Sequence, residues 1–197
     1  MEAGMVRNPE RRTALVDAAI EVLARDGARG LTFRAVDAAA AVPNGTASNY
    51  FSSRDDLLGQ VTDRVHQCIA PDPDEVAEVM AAPPSRALVV ELMHWINRRV
   101  TENRTGYLAM LELRLEATRR PELQAELTRV MRESLDENLR FHLEGGLPGD
   151  RTAVMLMYLA MTGLMVEQLT LPGVVPAGET DELISALVDR ATGPERA

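Results

Sequence analysis

The side chains best suited to chemistry in this 197-residue chain lie between Leu31 and Leu58. Asn44, Gly45, Thr46, Ser48 and Asn49 bring short amides, hydroxyls and one site of close backbone approach into a single short stretch, and Tyr50 follows at once. Such groups suit base edges and phosphate oxygens: a carboxamide can pair with adenine through two hydrogen bonds, and a hydroxyl serves base or backbone. Arg34 and Arg54 flank the cluster with permanent positive charge, and Thr32 adds a hydroxyl. The arrangement assigns Asn44, Ser48 and Asn49 to base reading, and Arg34, Thr46, Tyr50 and Arg54 to anchoring or steering. Thr32 and Gly45 complete the candidate surface. A polar interhelical loop has the same composition, and that alternative stays open on spacing alone.

Elements that could position these groups are legible in the apolar spacing. Leu31, Val36, Ala39 and Ala40 fall on one helical face, Val42 follows a turn, and Ala47, Tyr50 and Phe51 recur at helical spacing beyond it. Thr32 suits the N-cap of the first helix and Pro43 a first-turn position of the second. Ser53 followed by Asp55 and Asp56 resembles a capping box, with Leu57, Leu58, Val61, Val65 and Ile69 as the buried stripe of a third helix. This is the layout of a helix-turn-helix, which offers a polar helix face to a DNA major groove.

Catalysis finds no comparable constellation. His66, His94 and His142 lack metal-protease spacing, Cys68 has no second cysteine, and no glycine-rich phosphate loop follows a strand. Glu112 and Glu116 stand one helical turn apart, but Arg119 and Arg120 are near enough to neutralise them. No enzyme activity, cofactor or metal is expected.

Residues 11–60 resemble the N-terminal domain of TetR-family transcriptional regulators. The resemblance rests on an amphipathic helix from Arg12 to Asp26, the Gly27 stop, the Leu31-Thr32-Phe33-Arg34-Ala35-Val36 segment, Val42-Pro43-Asn44-Gly45-Thr46, Tyr50-Phe51, and the Ser53-Arg54-Asp55-Asp56-Leu57-Leu58 entry to a connecting helix. Four residues depart from the family pattern. Ala41 replaces the usual turn glycine, which implies a turn that alanine enters without strain. Asn44 stands where Lys is common, and Ser48-Asn49 where an aromatic-His pair is common, so the resemblance does not carry over an operator sequence.

Charge is distributed in keeping with that resemblance. The net charge is −9, yet up to residue 54 seven Arg face six acids for a net of +1, leaving −10 on the remainder. An acidic bulk suppresses indiscriminate phosphate binding while a few Arg at a shaped surface supply local contacts. Arg7, Arg11 and Arg12 could reach DNA from an N-terminal arm or stay solvated. The single cysteine excludes an internal disulfide, the N-terminus has no signal-peptide core, and no uninterrupted apolar run reaches membrane-spanning length. A soluble cytoplasmic protein with no membrane partner is expected.

Beyond Ile69, proline-rich breaks at 70–74 and 81–85 bracket a short helix, and longer helical patterns follow over 86–103, 105–119, 121–144, 151–171 and 181–191. The expected fold is all-α, with a three-helix helix-turn-helix DNA-binding domain over 1–54 and a helical effector-binding and dimerisation bundle over 55–197. Ala153 to Val166 is apolar all round, so it needs protein on every side, and Gly163 would permit close approach of another helix. The family resemblance implies a homodimer closed by residues 151–171 and 181–191, a palindromic double-stranded operator, and repression relieved by a small apolar effector. Trp95, Tyr107, Met110, Leu111, Arg114, Met131, Tyr158 and Met161 are its candidate lining, with His66 or His94 at the edge. A helical protein-interaction adaptor is the alternative class.

Overall fold

The computed structural model describes residues 8–176 and 178–193, and every regular element among them is a helix. In chain order these are α1 (Pro9–Gly30), α2 (Phe33–Ala39), α3 (Thr46–Tyr50), α4 (Arg54–Ile69), α5 (Pro73–Val79), α6 (Arg86–Glu102), α7 (Arg104–Ala117), α8 (Pro121–Glu144), α9 (Arg151–Thr170) and α10 (Thr180–Thr192). They form two compact units. One comprises the chain up to Ala70 with Thr105–Arg129, the other Pro71–Arg104 with the chain from Val130 onward. Arg7 lies outside the described residues.

The first unit is organised by α1. Asn8 caps it by accepting the N–H groups of Glu10 and Arg11 at 2.9 and 3.3 Å, and Pro9 occupies the first turn, so the helix starts ahead of the expected Arg12. Leu15, Ala19, Val22 and Leu23 are sealed from solvent. Gly27, at φ +70°, breaks the helix where the sequence placed its stop, and one further turn carries the chain to Gly30. Leu57, Leu58, Val61 and Val65 of α4 are buried, and the Arg64 guanidinium grips Asp17 of α1 through two bonds of 2.7 and 3.2 Å. Ser53 caps α4 by accepting the Asp56 N–H at 3.0 Å, whereas the Asp56 carboxylate returns to the N–H of Ser52, one residue before the cap, at 2.8 Å. That amide, reinforced by the Gln60 and Ser52 side chains, holds the Asp56 carboxyl below its ordinary range.

The unit boundary differs from the expected division after residue 54, because α4 and α7 supply polar anchors to α1 and α2. Glu112 of α7 accepts the Ala28 N–H at 3.1 Å, beside the Gly27 kink. Glu116, one turn on, accepts Arg54 at 3.1 Å and Arg120 at 2.7 Å, and Arg120 also pairs with Asp55. The expected Arg-neutralised face is therefore a network that holds helix ends.

The second unit closes around Leu88, Val89 and Leu92 of α6, Leu139 of α8, Leu147 in the α8–α9 connection, Val154 and Met157 of α9, and Val188 of α10. Asp150 caps α9 through the Ala153 N–H at 2.9 Å. Among the described residues only one side of α9 is covered: Ala153, Val154, Met157 and Met161 are buried, while Leu156 is 50% and Leu159 60% exposed. Thr162, the lone hydroxyl of the run besides Tyr158, donates to the Tyr158 carbonyl at 2.8 Å. By length and composition α9 would suffice to cross a membrane, contrary to the sequence expectation, but a core helix of a helical bundle has the same character.

Candidate nucleic-acid interface

The helix-turn-helix is built from α2, the turn and α3. Thr32 caps α2 by accepting the Ala35 N–H at 3.1 Å, as its position implied. The turn passes through Ala41 at φ +52°, the one described non-glycine residue in left-handed backbone. This corrects the expectation of an unstrained alanine: Cβ meets the following carbonyl in this region, which is why glycine is favoured there. Pro43 also differs from its expected place. It lies in the turn, three residues before α3, and its carbonyl accepts both the N–H and the hydroxyl of Thr46. Gly45, at φ +90°, leads into α3 with no side chain to cap it.

A residue the sequence reading passed over supplies the missing cap. The Asp37 side chain is buried, and its carboxylate accepts the N–H of Gly45 and of Ala47, each at 2.7 Å. Its backbone carbonyl accepts the Val42 N–H at 3.0 Å. The available signal was a charged residue one step after Val36 on the buried face of α2, where an acid has no reason to be unless donors converge on it.

At the other end of α3, Ala47, Tyr50 and Phe51 are buried, and the Phe51 ring stacks on Phe33 with centroids 6.4 Å apart. Arg12 closes over this end: its guanidinium lies 5.8 Å from the Tyr50 ring centroid and donates to the Tyr50 carbonyl at 3.0 Å and to Gln60 at 2.8 Å. Arg12 is thus neither solvated nor reaching outward, and the Tyr50 ring is packed inside instead of standing on the surface. Arg54 is corrected in the same sense. Its Nε donates to the Leu31 carbonyl at 3.3 Å, and its Nη groups meet the Ala28 carbonyl and Glu116, so it ties the α1–α2 junction to α4 and α7. The pairing with Arg120 first, and then with Arg54, keeps the Glu116 carboxyl below its ordinary range.

Arg34, Asn44, Thr46, Ser48 and Asn49 remain towards solvent, Thr46 half-buried and the rest exposed. Thr46 donates its hydroxyl to Pro43 at 2.6 Å and Ser48 to Gly45 at 2.8 Å, leaving each oxygen with acceptor capacity. Asn44 and Asn49 keep both carboxamide functions, and Arg34 keeps its guanidinium, since none makes a side-chain hydrogen bond among the described residues. The surface can therefore offer two bidentate amides, two hydroxyl acceptors and one cation to the groove of a duplex.

The ten residues expected around an effector divide between the two units. His66, Tyr107, Met110, Leu111 and Arg114 belong to the first, and His94, Trp95, Met131, Tyr158 and Met161 to the second. In the first unit Met110 is buried, and the His66 Nδ1 is buried without a hydrogen-bond partner. A groove of about 490 Å³ in that unit is lined by Asp55, Gly59, Arg119, Arg120 and Glu126, and by none of the ten. In the second unit Met161 is buried and Trp95 carries the Arg99 guanidinium 5.0 Å over its ring. His94 lines a groove of about 500 Å³ with Glu91, Asn97 and Arg98, its Nδ1 3.3 Å from the Asp181 carboxylate.

Comparison with known proteins agrees with this geometry. Residues 15–61 match the bacterial regulatory proteins of the tetR family, and residues 84–193 match the tetracyclin repressor-like C-terminal domain. A comparison with curated proteins found no match. Among solved structures, the multidrug binding protein EbrR complexed with ethidium is 27% identical at a TM-score of 0.69, covering 93% of this chain and 99% of that one. Its complex with imidazole is also 27% identical, at 0.67, with 96% and 99% covered. A TetR-family member from Streptomyces coelicolor A3 is 25% identical, at 0.67, with 94% and 100% covered. The second of the two family matches alone spans more than half of the sequence, and the chain belongs to the TetR family of transcriptional regulators.

Proposed function

We propose that the chain is a transcriptional repressor that reads a palindromic DNA operator as a homodimer and releases it on binding a small effector. The observation that carries the reading is the outward face of the helix-turn-helix. There Asn44 and Asn49 keep their amides for base edges and Arg34 its charge for a phosphate, while neighbouring polar groups are used inside the chain. Arg54, Arg12 and the Tyr50 ring are left out of the proposed interface because they hold the fold together. The proposed division of labour places DNA contact before residue 55 and effector response and dimerisation after it.

Dimerisation is supported by the uncovered side of α9. Leu156, Leu159 and Ala160 are exposed, a Cβ on Gly163 would meet nothing within 4 Å, and Leu183 of α10 is 49% exposed. An apolar surface of this kind is what a second copy would cover, and two copies related by a twofold axis present two α3 helices to two half-sites. The effector is proposed to be a small planar aromatic molecule, the class to which the ethidium held by EbrR belongs.

Selection of bound duplex from a random pool tests the reading. Recovery of an inverted repeat, with saturable ethidium binding by the protein in the absence of DNA that weakens when the operator is bound, is the expected result. No enrichment over input would leave a helical adaptor as the better description, and no ethidium binding by the DNA-free protein, or binding unmoved by the operator, would remove the proposed effector class.

A further inference from the structure

We infer that Asp37 is the positioning residue of the DNA-reading helix: it sets where Asn44, Ser48 and Asn49 stand without itself touching DNA. The inference rests on the proposed reading of DNA through α3. Its physical basis is the weakness of α3 on its own. A helix of five residues is far too short to persist by propensity, and its lead-in residue, Gly45, offers no capping side chain.

The two ends of α3 are secured differently. The C-terminal end is held by apolar burial of Tyr50 and Phe51. The N-terminal end is held by hydrogen bonds, and Asp37 receives three of them: Val42 N–H on its carbonyl, and Gly45 and Ala47 N–H on its carboxylate. Every one of these donors brackets or follows the turn, and Asn44 lies between them. Two converging N–H groups and the positive end of the short helix dipole are also what stabilises a carboxylate in so buried a place. The Gly45 and Ala47 amides are thereby occupied from within, so these two are not offered to a DNA phosphate.

Two opposed forces make the idea testable by sign. Asp37 carries a negative charge close to the face proposed to meet a polyanion, so long-range electrostatics alone predicts that removing it strengthens binding. Loss of positioning predicts the reverse. In Asp37→Asn one N–H acceptor is kept and the amide donor opposes the other N–H, and in Asp37→Ala both donors lose their acceptor, the Ala47 N–H in a buried place.

Operator affinity, non-specific DNA affinity and base preference would be measured for the full-length chain and both variants at a temperature where circular dichroism shows all of them folded. The expected result is an operator affinity about tenfold lower for Asp37→Asn and lower still for Asp37→Ala. Non-specific affinity should hold or rise slightly, and base preference should relax at the positions read by α3. A purely structural role would lower the melting temperature but leave base preference intact in the folded variant. That outcome, or a rise in operator affinity for Asp37→Asn, overturns the inference. Should Asp37→Ala not fold, amide exchange in the unmodified protein decides alongside Asp37→Asn: Gly45 and Ala47 should be protected like the α2 interior, and rapid exchange of both would overturn the proposal. Failure of the unmodified chain to select any DNA would instead defeat the underlying reading.

Discussion

The turn and α3 on one side, and α9 on the other, depart from self-sufficiency in opposite ways. Around α3 the chain uses most of its polar groups on itself: Asp37, Thr46, Ser48, Arg12 and Arg54 all bond to neighbours, and only Asn44, Asn49 and Arg34 are left over. Along α9 the surplus is apolar: Leu156 and Leu159 stand in water although the opposite side of the helix is buried. A surplus of oriented hydrogen-bonding groups calls for a polar partner with a fixed pattern, and a surplus of apolar surface calls for a partner that excludes water. What each region fails to satisfy internally is the better guide to its role than its overall composition.

The largest effect should come from reversing the apolar surplus. Leu159→Glu puts a charge on the most exposed part of the α9 face and should yield a folded monomer at micromolar concentration in sedimentation. Because two half-sites are then bound independently, operator affinity should fall by about 10²-fold or more. A dimer that survives this change would move the proposed interface away from α9. Ala160 is exposed on the same face, so Ala160→Phe tests the same interface.

Next in size is the polar network that ties α7 to the helix-turn-helix. The Glu116 side chain is 11% exposed and serves Arg54 and Arg120, each about a third exposed. Removing it in Glu116→Ala strands two partly buried cations, at about 2–3 kcal/mol once their access to water is allowed for. Its lowered carboxyl also gives the sign of a pH effect. The stabilisation is fully present above the ordinary carboxylate pKa of 4.5 and is lost as pH falls through the lower folded value. The urea midpoint of the unmodified protein should therefore drop more steeply below pH 4.5 than that of Glu116→Gln, and parallel curves would show the network to be energetically idle.

The polar surplus is tested by Asn49→Ala. Loss of one bidentate base contact should cost about 1–3 kcal/mol on the selected operator and little on random duplex, read by fluorescence anisotropy. Arg34→Ala should instead weaken both DNAs and lower the salt slope by about one.

Apolar periodicity made the helices legible, including the breaks at Gly27 and the proline-rich segments, because burial and backbone restriction act over a few neighbouring residues. The caps at Thr32 and Ser53 were legible for the same reason. The side-chain bonds of Asp37 and the Arg54–Glu116 pair were not, since those partners lie 8 to 62 residues apart and a charge has no periodicity to reveal its target, whereas Arg120, four residues from Glu116, was. Tyr50 sits at a position where the sequence supports either a phosphate contact or core packing, and its burial together with the Arg12 guanidinium over its ring decides for packing. The ten effector candidates were chosen by residue type alone, which carries no information about which compact unit holds each one.

The smallest expected effect concerns the turn itself. Ala41 is held at φ +52° by bonds on both sides of it: its own N–H reaches the Ala38 carbonyl at 3.2 Å, and the Val42 N–H reaches Asp37 at 3.0 Å. Those bonds fix the backbone, so the alanine Cβ has no relaxed alternative and the turn stores its steric cost. Ala41→Gly removes the Cβ without touching any hydrogen bond. The gain in the folded state is about 1 kcal/mol or a little more, and it is offset in part because glycine loses more freedom on folding. The net change should be stabilising by about 0.5–1 kcal/mol, seen as a higher denaturant midpoint at unchanged m-value. Since Asn44, Ser48 and Asn49 keep their supports, operator preference should not move. A base preference altered by Ala41→Gly would mean that the strained turn, and not the Asp37 carboxylate alone, sets the position of α3, and would redraw the line between the part of this region that supports and the part that reads.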